Sequence, residues 1–202
     1  MTSDALLTDL TGALDHSGQP LPALRDRLSE AAERDGVLDV AYRTVDSPVG
    51  LLLVAATEAG VVRLAFANED HALVLQRLAD RVSPRVLRAP ARLDRVAHEL
   101  DEYFAGRRRS FDVALDWRLS GGFRAVVLHE LAGIGYGRTA TYAALASQAG
   151  NPRAVRAVGS ACATNPLPLL VPCHRVVRSD GGLGGYLGGL DAKRTLLALE
   201  AG

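Results

Sequence analysis

A cysteine followed directly by a histidine ends an apolar, proline-containing run, Asn165-Pro-Leu-Pro-Leu-Leu-Val-Pro-Cys-His-Arg-Val-Val177. Cysteine attacks as the thiolate, which is populated near neutral pH only where a base or a positive field stabilises it. His174 is adjacent to Cys173 in the chain, although neighbouring side chains meet only across a turn. Prolines on both sides of the run restrain its backbone. The pattern predicts a nucleophilic Cys173 at the end of a rigid, buried strand.

The two cysteines differ in their sequence context. A lone cysteine is normally a small core hydrophobe, and Cys162 keeps that interpretation. Around Cys173, the context Pro-Cys-His-Arg-Val favours a reactive thiol. Two cysteines are too few for a disulfide framework or for a structural zinc site with four cysteines. We therefore expect a reducing compartment, the cytoplasm, and the acidic N-terminus Met1–Leu10 is unlike a secretory signal.

A helix-turn-helix pattern precedes the cysteine run. A helix over 141–149, with Thr139 as its cap, is followed by the break Gly150-Asn151-Pro152 and a second helix over 153–163. Small residues allow that second helix to approach DNA closely, and arginine supplies phosphate contacts or insertion into the base stack. Close packing on a neighbouring helix needs small residues equally, so both interpretations stay open. The residues concerned are Arg153, Ala154, Arg156, Ala157 and Gly159.

These motifs together resemble those of the O6-alkylguanine-DNA alkyltransferases. The resemblance is dense from Phe123 to Glu200, looser over 38–121 and absent over 1–37. The segment Pro172–Val177 is its most specific part. Further matches lie at the expected spacing: Tyr136-Gly137, Tyr142, Gly150–Gly159, Asn165-Pro166, Gly185-Tyr186, Gly188-Gly189, Lys193-Arg194 and Leu196-Leu197 leading to Glu200.

The resemblance implies direct DNA repair in a single turnover, without a cofactor or a metal. Cys173 would accept the alkyl group from guanine O6, and His174 would remove the thiol proton through a water. Glu200 would orient His174, as the carboxylate does in hydrolase triads, and Asn165 would hold the active-site turn together.

The same resemblance implies that the partner is double-stranded DNA containing O6-alkylguanine, bound through its minor groove by a protein that is monomeric in solution. The damaged base must leave the stack to reach a buried sulfur. Arg156 would fill the gap, with Arg153, Ala154, Ala157 and Gly159 along the DNA. The phenol of Tyr142 would bond the flipped guanine. Pro168, Val176, Tyr186 and Leu187 would complete the substrate pocket.

Some positions depart from the family pattern. Gly122-Phe123-Arg124 replaces Pro-Phe-Gln, Leu128 stands where a tryptophan is common, and Gly135 replaces a proline. Leu187 lies where a serine is frequent, which we expect to alter the alkyl groups that fit. None of these positions belongs to the implied relay.

The elements around these residues predict an α/β (α+β) fold with three segments, 1–37, 38–121 and 122–202. The first would be an N-terminal extension with one amphipathic helix, carrying Leu21, Leu24, Leu28, Ala31 and Ala32 and ending near Gly36. We favour packing of this helix on the body of the protein over binding of a partner.

The middle segment would be an α/β domain with a small antiparallel sheet, because short connections join its consecutive strands. The last would be mainly helical and carry the helix-turn-helix. Strands are predicted over 39–47, 50–58, 60–67 and 110–118, and helices over 69–82, 91–106 and 123–134.

Charge distribution is uneven although the net charge is zero. Residues 1–122 hold 15 basic and 19 acidic residues, a net of −4, and residues 123–202 hold 8 basic and 4 acidic, a net of +4. This asymmetry indicates an anionic partner for the second part or simple drift in composition. No stretch has the roughly 20 apolar residues of a membrane span.

Three other functions fit parts of the pattern. A non-catalytic damage binder of the same family would lack the acceptor cysteine, which is present here. A cysteine hydrolase would use Cys173 and His174 for many turnovers and would not need the helix-turn-helix. A transcriptional regulator would leave the Pro-Cys-His-Arg-Val motif unexplained.

Overall fold

The computed structural model describes residues 27–29, 31–32 and 34–202. The described residues from 27 to 34 are helical. The chain turns at Asp35, and Gly36 takes a φ of +66° at the predicted helix end. Ser29 is buried and its hydroxyl donates to the carbonyl of Arg88 at 2.5 Å, so this helix packs on the body. Leu28, predicted on the apolar stripe, is 57 % exposed, because the helix turns that position to solvent. Leu21 and Leu24 lie outside the described residues.

A four-stranded sheet forms the centre of the first half, in the order β3-β2-β1-β4. Its strands are β1 (Val40–Val45), β2 (Leu52–Thr57), β3 (Gly60–Ala65) and β4 (Val86–Arg88). The first three are antiparallel neighbours, as predicted, but β4 pairs with β1 in parallel. The prediction of an antiparallel sheet is therefore wrong at this edge. The reason is a helical crossover between β3 and β4, which returns the chain in the direction of β1.

Helices cover both faces of the sheet. Helix α1 (His71–Arg81) begins at Asp70, whose carboxylate accepts the N–H groups of Ala72 and Leu73, and it buries Val74 and Leu78. These two pack with Leu53 and other residues of one sheet face. Helix α2 (Asp94–Phe104) packs on the opposite face together with the second half of the chain, in one continuous core.

The segment 110–118 is not the predicted strand. It makes a single parallel bridge, Val61 to Leu115, and ends in a 3₁₀ turn, Trp117–Leu119. The carboxylate of Asp116 begins that turn and accepts the hydroxyl of Thr57 at 2.6 Å. This side-chain bond and two backbone hydrogen bonds between Val61 and the segment tie it to the sheet edge without a ladder.

The second half is mainly helical, as predicted. It contains α3 (Gly122–Ala132), α4 (Tyr142–Gln148), α5 (Val155–Ala163), α6 (Leu190–Ala201) and the two-residue parallel strands β5 (Ala140–Thr141) and β6 (Val176–Val177). Helices α4 and α5 form the helix-turn-helix around Gly150, whose φ is +77°. The cap of α4 is Thr141, not Thr139, because Thr141 is the residue whose hydroxyl accepts the N–H of Ala144. None of the helices over the described residues has both the length and the apolar character that a membrane crossing requires.

Candidate active site

Cys173 is buried, but the predicted strand before it is absent. Residues 166–171 form a loop in which Leu169 has a φ of +70°, and Cys173–Arg175 is a 3₁₀ turn that leads into β6. The alternation of prolines with apolar residues therefore indicated burial correctly and the backbone conformation wrongly. The loop with Leu169 in the left-handed region, rather than an extended strand, leads into the turn that carries Cys173.

Asn165 holds this loop through three hydrogen bonds. Its amide donates to the carbonyl of Val171 at 2.8 Å and to Sγ of Cys173 at 3.2 Å, and its Oδ1 accepts the N–H of Leu167 at 3.0 Å. The side chain is fully buried at the end of the chain segment that leaves α5. Asn165 thus contacts the thiol directly as well as the backbone on either side of Leu169.

His174 points away from solvent and toward α6. Its Nε2 lies 2.9 Å from Oε1 of Glu200, and both side chains are buried. An ionised carboxylate only accepts, so Nε2 carries the proton and Nδ1 holds the lone pair. Nδ1 is buried and has no hydrogen-bond partner among the described residues. The structure therefore presents a free basic nitrogen next to the cysteine in the chain.

Glu200 accepts four further hydrogen bonds from three residues that were given no role from the sequence. The hydroxyl of Tyr103 donates at 2.7 Å, Arg175 donates from Nε at 2.9 Å and from Nη2 at 2.8 Å, and the N–H of Gly137 donates at 3.2 Å. Arg175 carried a signal, since it lies inside the Pro-Cys-His-Arg-Val motif. Tyr103 carried none, because 97 residues separate it from Glu200.

The electrostatics of the relay favour a neutral thiol in the resting protein. Burial raises the pKa of Cys173 to about 11, although the Asn165 hydrogen bond and the charge of Lys193 oppose this. Burial also lowers the pKa of His174, against the effect of Glu200. For Glu200, hydrogen bonds from His174, Arg175 and Tyr103 outweigh burial and hold its pKa far below the ordinary value. Desolvation thus favours the protonated form of Cys173 in the resting protein.

Lys193 is a second cation that sequence reasoning left without a role. It is fully buried on α6, and its Nζ donates to the carbonyl of Val176 at 2.6 Å and to that of Leu183. Its positive charge lowers the pKa of Cys173. Two signals were available: the match at Lys193-Arg194, and the fact that Lys193 is the single lysine of a chain whose other 22 basic residues are arginines.

A pocket of about 490 Å³ reaches Cys173 from the surface. Its lining residues are Tyr142, Gly159, Cys162, Ala163, Cys173, Gly185, Tyr186 and Leu187. Val176 and Pro168 are buried nearby and do not line it. Cys162, interpreted as a core cysteine, does line the pocket, and burial raises the pKa of its thiol to about 12.

A glycine-rich loop closes one side of the pocket. Gly184 has a φ of +68°, and a Cβ there would lie 2.8 Å from the hydroxyl of Tyr142. The first half of the chain contacts the loop at two points. The ring centroids of Phe66 and Tyr186 are 5.5 Å apart, and the side-chain amide of Asn68 donates to the carbonyl of Leu187 at 2.9 Å. Tyr142, Tyr186 and Leu187 are thereby brought together around the thiol.

The residues with a predicted DNA contact lie on one exposed surface. Arg156 and Ala157 on α5 are exposed and Gly159 is half-buried, while Val158 and Cys162 face the core. Arg153 and Ala154 precede α5 instead of belonging to it, because the helix begins at Val155. Neither arginine forms an ion pair with any residue that the structure describes.

Comparisons with known proteins match both halves of the chain. The DNA-binding domain model of 6-O-methylguanine DNA methyltransferase matches residues 122–202, and the ribonuclease-like domain model of the same family matches residues 40–117. A methylated-DNA–protein-cysteine methyltransferase of Mycolicibacterium paratuberculosis is 42 % identical, across 80 % of this chain and 92 % of the relative. One from Methanosarcina barkeri is 39 % identical, across 79 % and 96 %. The crystal structure of Mycobacterium tuberculosis OGT in complex with DNA superposes with a TM-score of 0.70 at 38 % identity, across 80 % and 92 %.

Proposed function

Because the chain belongs to the 6-O-methylguanine DNA methyltransferase family, we propose that it repairs O6-alkylguanine in DNA by moving the alkyl group onto Cys173. The observation that carries this proposal is the buried thiol at the base of an open pocket, next to a histidine whose basic nitrogen is unpaired. Methylated-DNA–protein-cysteine methyltransferase is accordingly the activity of this enzyme, with one alkyl group accepted per molecule.

The chemical step replaces one bond by another. Sγ of Cys173 forms a bond to the alkyl carbon while the bond from that carbon to guanine O6 breaks. The thiol proton passes through a water to Nδ1 of His174, and the guanine that leaves takes up one proton, so the overall change is thiol to thioether and alkylguanine to guanine. A thioether has no easy leaving chemistry, which makes the reaction a single turnover.

The relay stabilises the charges that this proton transfer creates in a buried site. A neutral thiol and a neutral imidazole become a thiolate and an imidazolium, and Glu200 is already ionised to stabilise the imidazolium. Arg175 balances the carboxylate before the reaction. The thiolate forms beside the Asn165 amide and under the positive charge of Lys193, both of which lower its pKa. Charge thus develops where the surrounding groups are already oriented.

We propose that α5 enters the minor groove and that the damaged nucleotide rotates out of the stack into the pocket. Arg156 would occupy the space that the nucleotide leaves, and the small exposed residues Ala157 and Gly159 would permit close approach. The hydroxyl of Tyr142, at the pocket wall, would bond the flipped base. Pro168 and Val176 would act by supporting the wall rather than by touching the base.

The organisation of the chain is proposed with the same boundaries as in the sequence analysis. Residues 38–121 would form an N-terminal domain, 122–202 the alkyltransferase domain, and 1–37 an extension. We further propose a monomer in solution, and a cytoplasmic site of action because both cysteines are free.

Intact-protein mass spectrometry tests the acceptor. After incubation with a duplex that contains O6-methylguanine, the protein should gain one methyl group on the peptide that contains Cys173. Cys162→Ala is a matched control, because Cys162 lines the same pocket and its loss should leave the gain intact. Transfer that persists in Cys173→Ala, or a methyl group on Cys162, would show that Cys173 is not the acceptor.

A cysteine hydrolase remains the alternative from another class, because the Cys-His-Glu arrangement resembles a hydrolase relay. It would release product repeatedly and leave Cys173 unmodified at the end of the reaction. The same mass measurement, extended to many equivalents of substrate, separates the two functions.

A further inference from the structure

A second concave site lies beside the active-site pocket and is lined by four arginines. Its volume is about 330 Å³. The arginines are Arg63 on β3, Arg77 and Arg81 on α1, and Arg124 on α3. Ala163 and Leu187 line both concave sites, so the two share a wall. We call this site the arginine pocket.

The arginine pocket holds more positive charge than its own carboxylate balances. Glu69 is the one carboxylate in its lining, and it is occupied by an ion pair with Arg63. Arg63 also donates hydrogen bonds to the carbonyls of Leu64 at 2.6 Å and Pro166 at 3.2 Å. This pair therefore contributes no free charge to the site.

The other three guanidinium groups lack an anionic partner in the part of the chain that the structure describes. Arg77 and Arg81 are exposed one turn apart on α1 and form no ion pair there. Arg124 donates to the carbonyl of Leu119, and its Nε is buried with no hydrogen-bond partner within the described residues. Three cations around one cavity repel one another unless an anion lies between them. The planar fork of arginine matches the oxygens of a phosphate group.

The position of the pocket relates it to the DNA-facing side of α5. Ala163 lies seven positions after Arg156 on this helix, which corresponds to an axial distance of about 10 Å. That distance equals about three base-pair steps of roughly 3.4 Å. A duplex that follows α5 from Arg156 would thus bring a backbone phosphate to the shared wall.

We infer that the arginine pocket binds a phosphate of the DNA backbone, about three steps from the nucleotide that Arg156 contacts. The inference rests on the proposed function and extends the DNA-binding surface onto the first half of the chain, through α1. Neither the helix-turn-helix nor the uneven charge of the sequence pointed to this part, because residues 1–122 have a net charge of −4.

Binding of an undamaged duplex to the double variant Arg77→Gln/Arg81→Gln tests the inference. Each lost phosphate contact reduces the slope of log affinity against log salt by about 0.9. Because one phosphate contact is lost, we expect the slope to fall by about 1 and the affinity near 0.1 M salt to fall on the order of tenfold. Because no damaged base is present, the result is independent of alkyl transfer, and failure of the proposed function would leave it readable.

The control removes the same charge elsewhere. Arg34 and Arg107 are exposed and line neither pocket, so Arg34→Gln/Arg107→Gln should change the slope by much less than 1. Equal losses in the two double variants would overturn the inference in favour of general electrostatics. The single variants Arg77→Gln and Arg81→Gln provide the same readout should the double variant fail to fold, each with a slope change of up to about 1.

Titration with inorganic phosphate separates the two sources of a phosphate group. If the wild-type protein binds free phosphate, the double variant loses that binding, and duplex affinity is unchanged, then the pocket is a site for a free anion and the inference about DNA is wrong. Loss of duplex affinity in the double variant alone supports the inference.

Discussion

Replacing Glu200 by glutamine perturbs the centre of the relay while preserving the size of the side chain. Oε1 accepts hydrogen bonds from Tyr103, His174 and Arg175, and Oε2 accepts from Arg175 and Gly137. A glutamine amide has one oxygen and one NH₂ group, which only donates. Whichever way it turns, its NH₂ group faces at least two donors. The variant thus loses the negative charge and gains unfavourable donor pairs.

Two effects of this change can be estimated from the contacts of Glu200: a loss of folding stability and a slower alkyl transfer. Arg175 is buried and would lose its anion, and breaking a buried ion pair costs about 3 to 5 kcal/mol of folding stability. The hydrogen bond from His174 to the ionised carboxylate joins two charged groups only after His174 accepts the thiol proton. Such bonds contribute about 1.5 to 3 kcal/mol, which predicts alkyl transfer about 10 to 150 times slower.

The measurement is single-turnover methyl transfer from a duplex with O6-methylguanine, together with denaturant unfolding of the same protein. Glu130→Gln is the matched control, because Glu130 is an exposed glutamate on α3 and should change neither quantity by more than a small amount. If Glu200→Gln is destabilised as expected but transfers methyl groups at the wild-type rate, Glu200 has a structural role only and the relay is refuted.

Further predictions follow from other contacts of the site. Alkylation of Cys173 by iodoacetamide in a Cys162→Ala background should titrate with a midpoint at about 11, and a midpoint below 9 would contradict a thiol that is neutral at rest. Because the raised pKa of Cys173 favours the folded protein only while the unfolded thiol is protonated, its contribution to stability should decline as pH rises from about 8.5 toward 11. Tyr103→Phe removes a donor to a carboxylate and should lower the unfolding free energy by about 1.5 to 3 kcal/mol, whereas Tyr136→Phe removes one to the Leu199 carbonyl and should cost about 1 kcal/mol; equal losses would mean that Glu200 is not charged. Arg156→Ala should slow repair of duplex DNA far more than reaction with free O6-methylguanine base, and equal slowing of the two reactions would make Arg156 a structural residue.

The family and the chemistry of the site were accessible from the sequence because they depend on local motifs. Pro-Cys-His-Arg-Val places the thiol and its base in one turn, and the resemblance indicated Glu200 and Asn165, which the fold brings to the same turn. The apolar spacing also predicted the helices now labelled α1 and α2 to within a few residues.

The remaining features depend on contacts that no local pattern encodes. Strand β4 has three residues and no apolar alternation, so only its pairing with β1 reveals it. Tyr103 meets Glu200 because α2 and α6 pack in one core, a consequence of tertiary structure. The raised pKa of Cys173 has the same origin, since it depends on how completely the surrounding elements bury the thiol.

The most direct test of the central claim counts alkyl groups per protein molecule. The protein is incubated with an excess of duplex containing O6-methylguanine until the reaction stops, and repaired guanine and modified Cys173 are measured together. One methyl group per molecule, all of it on Cys173, with repair ending at one equivalent, is the predicted result. Continued repair beyond one equivalent, or repair that leaves Cys173 unmodified, would contradict the transfer of the alkyl group to this cysteine.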